Sequence, residues 1–324
     1  MAAELPYTRK EAKSWAMKNV VDWYECPLTP VTDDFKFDED GMRENLEAYV
    51  EMGETGLVVG GFLSEAWSVT LDDWKRYHKV LAEANRGRLP LWTIILDPSV
   101  HQSLEKMKYV QDLGYVGAEV INPVVQLKTD DEIYNYFKYM TDQSDLAICL
   151  YHTRVSGRLL SLDLVKRLAD IDTIIGLKQG SGNHGDSLVM RKAVRNDFLV
   201  SDPLEDYWLD DLRNGGQVLW GYFVHIIYGK KRWMLEEYTK LAREGNWEEA
   251  YKVSEGLKPV REFLFKVFAE PLFRTASYAT SLANIKAWYE AIGLKAGPMI
   301  PPVQALSTKE KEYIKSELQR IGVA

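Results

Sequence analysis

Eight short apolar runs, separated by stretches long enough for one helix each, constrain the fold of this 324-residue chain more than any other feature. The runs cover residues 21–26, 56–59, 91–96, 116–121, 147–151, 173–178, 198–201 and 218–222. Most are continuously apolar, which is typical of parallel strands buried on both faces. Repeated strand–helix units close into a barrel or form an open doubly wound sheet. Eight units without a dinucleotide-binding glycine motif favour an α/β fold of the (β/α)8 TIM-barrel type.

Two of the intervening segments have a clear helix start. Thr70 with Asp73, and Thr129 with Glu132, have the spacing of a capping box, in which the two side chains satisfy free backbone N–H groups at the first turn. These pairs predict helices that begin just after Thr70 and Thr129.

After the eighth run the pattern is helical only. Amphipathic stretches cover residues 230–244, 247–268 and 282–292, and a final helix begins at Ser307. No flexible linker precedes this region, so we predict a helical appendage to the barrel. The predicted organisation is an N-terminal extension (1–22), the barrel (23–227), and the last barrel helix with the C-terminal helical region (228–324).

Composition and charge exclude several classes of function. Apolar residues make up 46% of the chain and charged residues 27%, as in ordinary globular proteins. The net charge of −8 is not concentrated in blocks, which argues against nucleic acid or an anionic membrane as the main partner. No apolar signal segment and no run of 18 apolar residues is present. We therefore predict a cytoplasmic protein.

The cysteines and histidines do not predict a metal or a disulfide. Cys26 and Cys149 each lie in an apolar stretch, which fits buried thiols in a reducing compartment. Cys26 as a nucleophile is the alternative, but a small buried strand residue is favoured. The five histidines are scattered, so no metal site is expected.

Four polar residues end or follow apolar runs, where the active site of a TIM barrel lies: Glu65, Tyr151, Lys178 and Asp202. A lysine at the mouth of an apolar barrel is desolvated, which lowers its pKa and makes its amine nucleophilic. Such an amine can condense with a ketone to an iminium. The alternative is a lysine that reaches solvent or pairs with a carboxylate. Tyr151 lies one strand earlier and could transfer a proton, or could simply pack its ring.

Several motifs together resemble the dihydrodipicolinate synthase and N-acetylneuraminate lyase superfamily of class I aldolases. They are Gly56-Leu57-Val58-Val59-Gly60-Gly61 with Glu65, Leu150-Tyr151, Ile175-Gly176-Leu177-Lys178, Asn284-Ile285-Lys286-Ala287, and Gly293 to Pro298 with Pro301-Pro302. The resemblance implies that Lys178 forms the Schiff base and that Tyr151 transfers a proton. It also implies that the loop containing Gly61, Phe62, Leu63 and Ser64 binds a keto-acid carboxylate.

The departures from this family point to a different substrate. Phe62 and Leu63 stand where the family has threonines, and only Ser64 offers a hydroxyl nearby. Val124-Val125 replaces an aromatic pair that includes the interface tyrosine of the synthases. The less polar loop, together with Trp220 and Tyr222, favours a bulky apolar or aromatic substrate. The resemblance is therefore nearer to the hydratase-aldolases that release pyruvate than to the synthase itself.

The segment after Tyr151 also departs from the family. His152 follows directly, and Arg154 and Arg158 both lie where the family has one arginine. We expect all three near the substrate and leave open which arginine binds it. His152 is either an added acid or base or, as the favoured interpretation, a loop histidine bonded to backbone.

Three functional hypotheses remain at this stage. The first is a lyase that joins or separates pyruvate and an aldehyde; the second is a keto-acid dehydratase or decarboxylase on the same barrel. The third is a non-catalytic barrel that only binds a ligand. The resemblance implies a small-molecule keto acid and aldehyde as partners, no cofactor, and a homo-oligomer, either a tetramer or a dimer.

Overall fold

The computed structural model describes residues 4–123, 127, 129–180 and 182–324. The strands are β1 (Asp22–Glu25), β2 (Gly56–Val59), β3 (Leu91–Ile95), β4 (Gly117–Ile121), β5 (Ala147–Thr153), β6 (Ile174–Gly180), β7 (Leu199–Ser201) and β8 (Val218–Trp220). The helices are α1 (Ala12–Asn19), α2 (Glu39–Met52), α3 (Leu71–Asn85), α4 (Val100–Asp112), α5 (Asp130–Gln143), α6 (Leu162–Ala169), α7 (His184–Ala193), α8 (Trp208–Arg213), α9 (Val224–Ile227), α10 (Arg232–Arg243), α11 (Trp247–Glu255), α12 (Lys258–Leu264), α13 (Glu270–Thr275), α14 (Tyr278–Ala291) and α15 (Thr308–Arg320).

Two compact units can be distinguished. The strand unit contains Met1–Cys26, Thr55–Gly61 and Gly87–Tyr222, and the helical unit contains Pro27–Glu54, Phe62–Arg86 and Phe223–Ala324. The boundaries at residues 22 and 227 that the sequence suggested stay a prediction. In the described part of the chain, no helix is long and apolar enough to cross a membrane.

The strand unit holds all eight strands in one parallel sheet, in the order β7-β6-β5-β4-β3-β2-β1-β8. The two ends of this order meet where the Ser201 hydroxyl donates to the Val218 carbonyl over 2.8 Å. The sheet therefore forms a nearly closed barrel with helices between its strands. The predicted (β/α)8 TIM barrel with C-terminal helices is confirmed.

The interior of the barrel is filled by large aromatic rings. Trp220 stacks on Tyr24 with ring centroids 5.2 Å apart, and Trp92 meets Trp220 edge-on at 4.7 Å. Gly117 makes room for this cluster, because a Cβ there would lie 2.1 Å from a carbon of the Trp92 ring. Burying one such ring stabilises the fold by roughly 2–3 kcal/mol.

The pairing of β4, β5 and β6 sets which side chains share a level of the barrel. Tyr151 pairs with both Ile121 and Lys178. The β5–β6 register shifts once, between Ile148 and Cys149. Both strands run two residues beyond the predicted ends at Tyr151 and Lys178, since apolar character stops there but backbone pairing does not.

The capping predictions are confirmed in both units. In the helical unit, Thr70 caps α3 with Asp73, and in the strand unit Thr129 caps α5 with Glu132. Ser307 caps α15 in the same way. Each cap is worth about 1 kcal/mol.

The amphipathic stretch over 247–268 is helical, as predicted, but it is divided into more than one helix. In the helical unit α11 ends at Glu255, Gly256 follows, and α12 begins with Pro259 in its first turn. Proline lacks the N–H that would continue the preceding turn, so the apolar periodicity carries on while the helix does not.

Candidate active site

Lys178 lies on β6 with its side chain buried among the inner residues of the barrel, 6% exposed. Its Nζ donates a hydrogen bond of 2.7 Å to the Gly221 carbonyl oxygen. A second acceptor, Glu119 Oε1, lies 3.4 Å away. The amine is thus held by one main-chain oxygen and faces one carboxylate.

Tyr151 lies on β5 beside Lys178, as predicted. The Lys178 Nζ lies 4.6 Å from the centroid of the Tyr151 ring, within the range of a cation–π contact. The two residues are Cα partners in the β5–β6 register, so their proximity follows from backbone pairing. A phenol and an amine that share one level of a barrel can act on the same substrate atom.

Glu119 and Gly221 belong to the same cluster, and sequence reasoning did not find them. Glu119 Oε2 accepts a 2.6 Å hydrogen bond from the Trp220 indole N–H. Gly221 has a φ of +65°, and a Cβ on it would lie 2.8 Å from Lys178 Nζ and 3.0 Å from Glu119 Oε2. Glycine therefore leaves the space that the ion pair occupies. The available signal for Glu119 was a single acidic residue inside a continuously apolar run.

Burial controls the ionisation of this cluster. The pKa of Glu119 is raised because its carboxyl is completely desolvated, and the opposing effects of Lys178 and the Trp220 N–H are smaller. The thiols of Cys26 and Cys149 lie close enough to sense both charges. Burial raises the pKa of each thiol well above its usual range, so neither is an activated nucleophile at neutral pH.

Trp220 and Tyr222 have different surroundings. Trp220 is 1% exposed and stands in the aromatic core of the barrel, where its N–H serves Glu119. Tyr222 is partly exposed, and its carbonyl accepts a hydrogen bond from the Cys26 N–H. Substrate contact by either residue stays a prediction.

His152 follows Tyr151 on β5 and is 1% exposed. Its Nδ1 lies 2.6 Å from Gln179 Oε1, the neighbouring residue on β6. Burial lowers the pKa of His152, which favours the neutral imidazole at neutral pH. Because Gln179 Oε1 accepts the hydrogen bond, Nδ1 carries the proton of the neutral imidazole, and Nε2 can accept one further hydrogen bond.

The two candidate arginines are placed differently. Arg158 forms an ion pair with Asp130 at the start of α5. Arg154 is exposed, in a short 3-10 turn that follows β5. Asp130 thus balances the charge of Arg158, and which of the two arginines binds an anionic group stays open.

The loop that begins at Gly61 passes from the strand unit into the helical unit. Within the strand unit, a Cβ on Gly61 would lie 2.5 Å from Ile94 Cδ1, so a larger residue does not fit. Within the helical unit, residues 62–64 form a 3-10 turn in which Leu63 and Ser64 are buried. Phe62 stacks on Tyr278 at 5.0 Å. The carboxylate-binding role of this loop stays a prediction, and Val124 and Val125 lie outside the described residues.

Glu65 and Asp202, the other strand-end acids, are already engaged. In the helical unit, Glu65 forms a buried ion pair of 2.5 Å with Lys286 and accepts a hydrogen bond from the Ile300 N–H. In the strand unit, Asp202 accepts a hydrogen bond from Ser187 and faces His184. Among the described residues, no group of three or more His, Cys, Asp or Glu side chains could hold a metal ion.

Comparison with known proteins gives a consistent family. The model of the dihydrodipicolinate synthetase family matches residues 22–321. A 4-hydroxy-tetrahydrodipicolinate synthase of Methanosarcina barkeri is 24% identical over 298 residues, which are 91% of this chain and 96% of that protein. The match therefore spans the barrel strands and the C-terminal helices alike.

Solved structures show the same fold. A monomeric dihydrodipicolinate synthase variant superposes with a TM-score of 0.80 at 20% identity, over 95% of this chain and 99% of that chain. A sialic acid aldolase of Ruminococcus gnavus superposes with a TM-score of 0.80 at 16% identity, over 94% and 97%. Similarity at this level of identity establishes the architecture.

Proposed function

This chain belongs to the dihydrodipicolinate synthetase family of Schiff-base lyases, and we propose that Lys178 is the residue that forms the Schiff base. The observation that carries the proposal is the placement of its amine. Nζ is buried, 2.7 Å from a main-chain acceptor and 4.6 Å from the ring of Tyr151. A desolvated amine that faces a phenol has the groups that iminium formation and proton transfer require.

The proposed reaction joins or separates a 2-keto acid, with pyruvate as the simplest case, and an apolar or aromatic aldehyde. The Lys178 nitrogen attacks the ketone carbon, a C–N bond forms, and water leaves with the ketone oxygen. The resulting iminium takes up the electron pair of the C–C bond that breaks. Tyr151 moves the proton to or from the aldehyde oxygen, and the backbone of residues 61–64 is proposed to bind the carboxylate.

The apolar substrate is supported by residue identity at the loop. Phe62 and Leu63 replace two hydroxyl side chains with apolar ones. An apolar pocket gains roughly 25 cal/mol per Å² from an aromatic ring that it takes out of water. These features favour an arylidene-type partner in a hydratase-aldolase reaction over the polar substrate of a synthase.

Reductive trapping tests the Schiff base. The protein is incubated with pyruvate and borohydride, and its mass is measured by intact-protein mass spectrometry. The adduct is then mapped by peptide mass spectrometry. We expect one adduct on Lys178 and none in Lys178→Met. Lys13→Met is the matched control, because Lys13 is also buried in the strand unit and burial lowers its pKa to about 8. This control should keep the adduct.

The outcomes separate the hypotheses. If an adduct forms only with larger keto acids, the role of Lys178 stands and the keto-acid substrate is larger than pyruvate. Product formation from pyruvate with aromatic aldehydes supports the aldolase reaction, whereas water or carbon dioxide release from a keto acid alone supports the dehydratase or decarboxylase alternative. No adduct with any keto acid would refute the proposal and leave the non-catalytic barrel.

A further inference from the structure

The Schiff-base lysine has a buried acid beside it that the proposed reaction has not yet used. Glu119 is 0% exposed, in the middle of β4. Its two carboxylate oxygens are divided between two donors, with Oε1 3.4 Å from Lys178 Nζ and Oε2 2.6 Å from Trp220 Nε1. The carboxyl therefore touches the atom that forms the covalent bond.

The geometry distinguishes this contact from a structural ion pair. A desolvated ion pair stabilises a fold only when its geometry is close and its remaining groups are satisfied. The 3.4 Å separation is long for a charge-assisted hydrogen bond, and the shorter bond of Lys178 goes to the neutral Gly221 carbonyl. A proton can then reside on either partner at similar cost, because a neutral amine and a neutral acid avoid the desolvation of two charges.

We propose that Glu119 is a further catalytic residue, the proton carrier for Lys178 during formation of the Schiff base. This inference rests on the proposed role of Lys178. The ammonium of Lys178 gives one proton to the Glu119 carboxylate, and the free amine attacks the ketone carbon. A proton passes from the new C–N nitrogen to the former ketone oxygen. The Glu119 acid then protonates that hydroxyl, the C–O bond breaks, and water leaves.

The balance of this step closes without an external reagent. One ammonium, one carboxylate and one ketone become one iminium, one carboxylate and one water. Burial raises the pKa of Glu119, which favours the acid form that protonates the leaving hydroxyl. Tyr151 then serves the later proton transfer to the aldehyde oxygen, which gives the two proton transfers separate carriers.

The titratable groups around Glu119 do not offer an equivalent carrier. Cys149, its Cα partner on β5, and Cys26, after β1, stay protonated because burial raises their pKa values. Glu25 at the end of β1 adds a second acidic group to this surrounding. Glu119 is the carboxylate that lies 3.4 Å from the reacting nitrogen.

Glu119→Gln is the direct test, because an amide keeps the volume and can still accept from Trp220. The rate of borohydride-trapped adduct formation is measured across pH with pyruvate in single turnover. In the wild type the rate should fall at low pH, where Glu119 is protonated and cannot accept the lysine proton. In Glu119→Gln the rate should drop about 100-fold. The acid limb of the wild-type profile, which is set by protonation of Glu119, should be replaced by a rate that rises continuously into the alkaline range, because only deprotonation of Lys178 then limits the attack.

A second variant keeps the test valid if Glu119→Gln does not fold. Trp220→Phe removes the donor that stabilises the carboxylate, so the pKa of Glu119 should rise and the acid limb should move to higher pH. A merely structural role would not move this limb. Glu54→Gln, which changes a buried carboxylate of the helical unit that lies 2.7 Å from His225, is the matched control and should keep the wild-type profile once folded.

Failure of the inference and failure of the proposed function are distinguishable. Wild-type protein that forms no adduct would overturn the role of Lys178 and, with it, that of Glu119. Adducts that form at wild-type rates in Glu119→Gln, or an unmoved acid limb in Trp220→Phe, would overturn the role of Glu119 alone.

Discussion

Two buried lysine–glutamate pairs, one in each unit, differ in geometry in a way that fits the proposed chemistry for one pair and a stabilising role for the other. In the helical unit, Lys286 and Glu65 approach to 2.5 Å. Lys286 also donates to the Pro298 carbonyl, and Glu65 also accepts from the Ile300 N–H. The polar groups of this pair are thus tied to main chain on both sides.

The pair in the strand unit is looser. Lys178 and Glu119 are 3.4 Å apart, and the shorter bond of each goes to a third group, the Gly221 carbonyl and the Trp220 N–H respectively. The comparison indicates that a close pair with main-chain hydrogen bonds on both partners holds segments together, whereas a loose pair allows its amine to change partner. Four predictions test this division, from the largest expected effect to the smallest.

Removal of the Lys178 amine should abolish most of the activity, whereas removal of the Lys286 amine should leave adduct formation intact. Lys178→Met should lower the rate of C–C bond cleavage or formation at least about 1,000-fold, because the nucleophile is lost. Folded Lys286→Met should keep its trapped adduct on Lys178. Steady-state kinetics and adduct mapping on both variants measure this, and loss of the adduct in well-folded Lys286→Met would break the comparison.

Stability should respond in the reverse order. Lys286→Met strands the buried Glu65 carboxylate, so the free energy of unfolding should fall by about 3–5 kcal/mol. Lys178→Met should cost less, because burial already raises the pKa of Glu119, so this carboxyl takes up a proton more readily once its partner is removed. Urea denaturation of both variants provides the values. Adding Glu65→Gln to Lys286→Met should restore part of the loss, and an equal cost for both single variants would contradict the division.

Gly221→Ala should disturb the loose pair specifically. The added Cβ would meet Lys178 Nζ at 2.8 Å on top of the strain of a positive φ, so we expect a loss of about 1–3 kcal/mol in stability and slower adduct formation. Gly245→Ala is the control, because its φ is +81° and nothing lies within 4 Å of the new Cβ. It isolates the backbone strain. Equal adduct rates in the two variants would show that the space at Gly221 is unimportant.

The pH dependence of stability should have opposite slopes at the two pairs. The raised pKa of Glu119 means that unfolded protein releases this proton first, so wild type loses stability relative to Glu119→Gln as pH rises above 4.5. The pKa of Lys286 is lowered by burial, so native protein releases that proton first. Wild type therefore gains stability relative to Lys286→Met as pH approaches 10.5.

A tenfold difference in proton affinity between native and unfolded protein corresponds to about 1.4 kcal/mol, which makes this the smallest of the four effects. Denaturation of the three proteins at a series of pH values measures both slopes. Slopes of the same sign would mean that the direction of the pKa shift is wrong for either Glu119 or Lys286.

The sequence was sufficient for the barrel because its information is local. Each strand is a short apolar run, and pairs such as Thr70 with Asp73 mark helix starts within four residues. The proximity of Lys178 and Tyr151 could also be predicted, since consecutive parallel strands place their ends together. Periodicity failed only at Gly256 and Pro259, where the backbone is interrupted while the apolar pattern continues.

The remainder of the site depends on contacts between distant strands. Glu119 could not be assigned because its contact with Lys178 requires the register of β4, β5 and β6. The ion-pair partner of Glu65 could not be predicted for the same reason, since Lys286 lies on α14, far along the chain. Gly221 carries no side chain, so its role is visible only as the space that it leaves.

That glycine carbonyl has an evolutionary consequence. The oxygen that orients the Lys178 amine belongs to the main chain, and every amino acid supplies one. No single codon change can delete this acceptor, although a bulkier residue can crowd it. Side chains near the site can therefore diverge one at a time while the proposed nucleophile, Lys178, keeps its orientation.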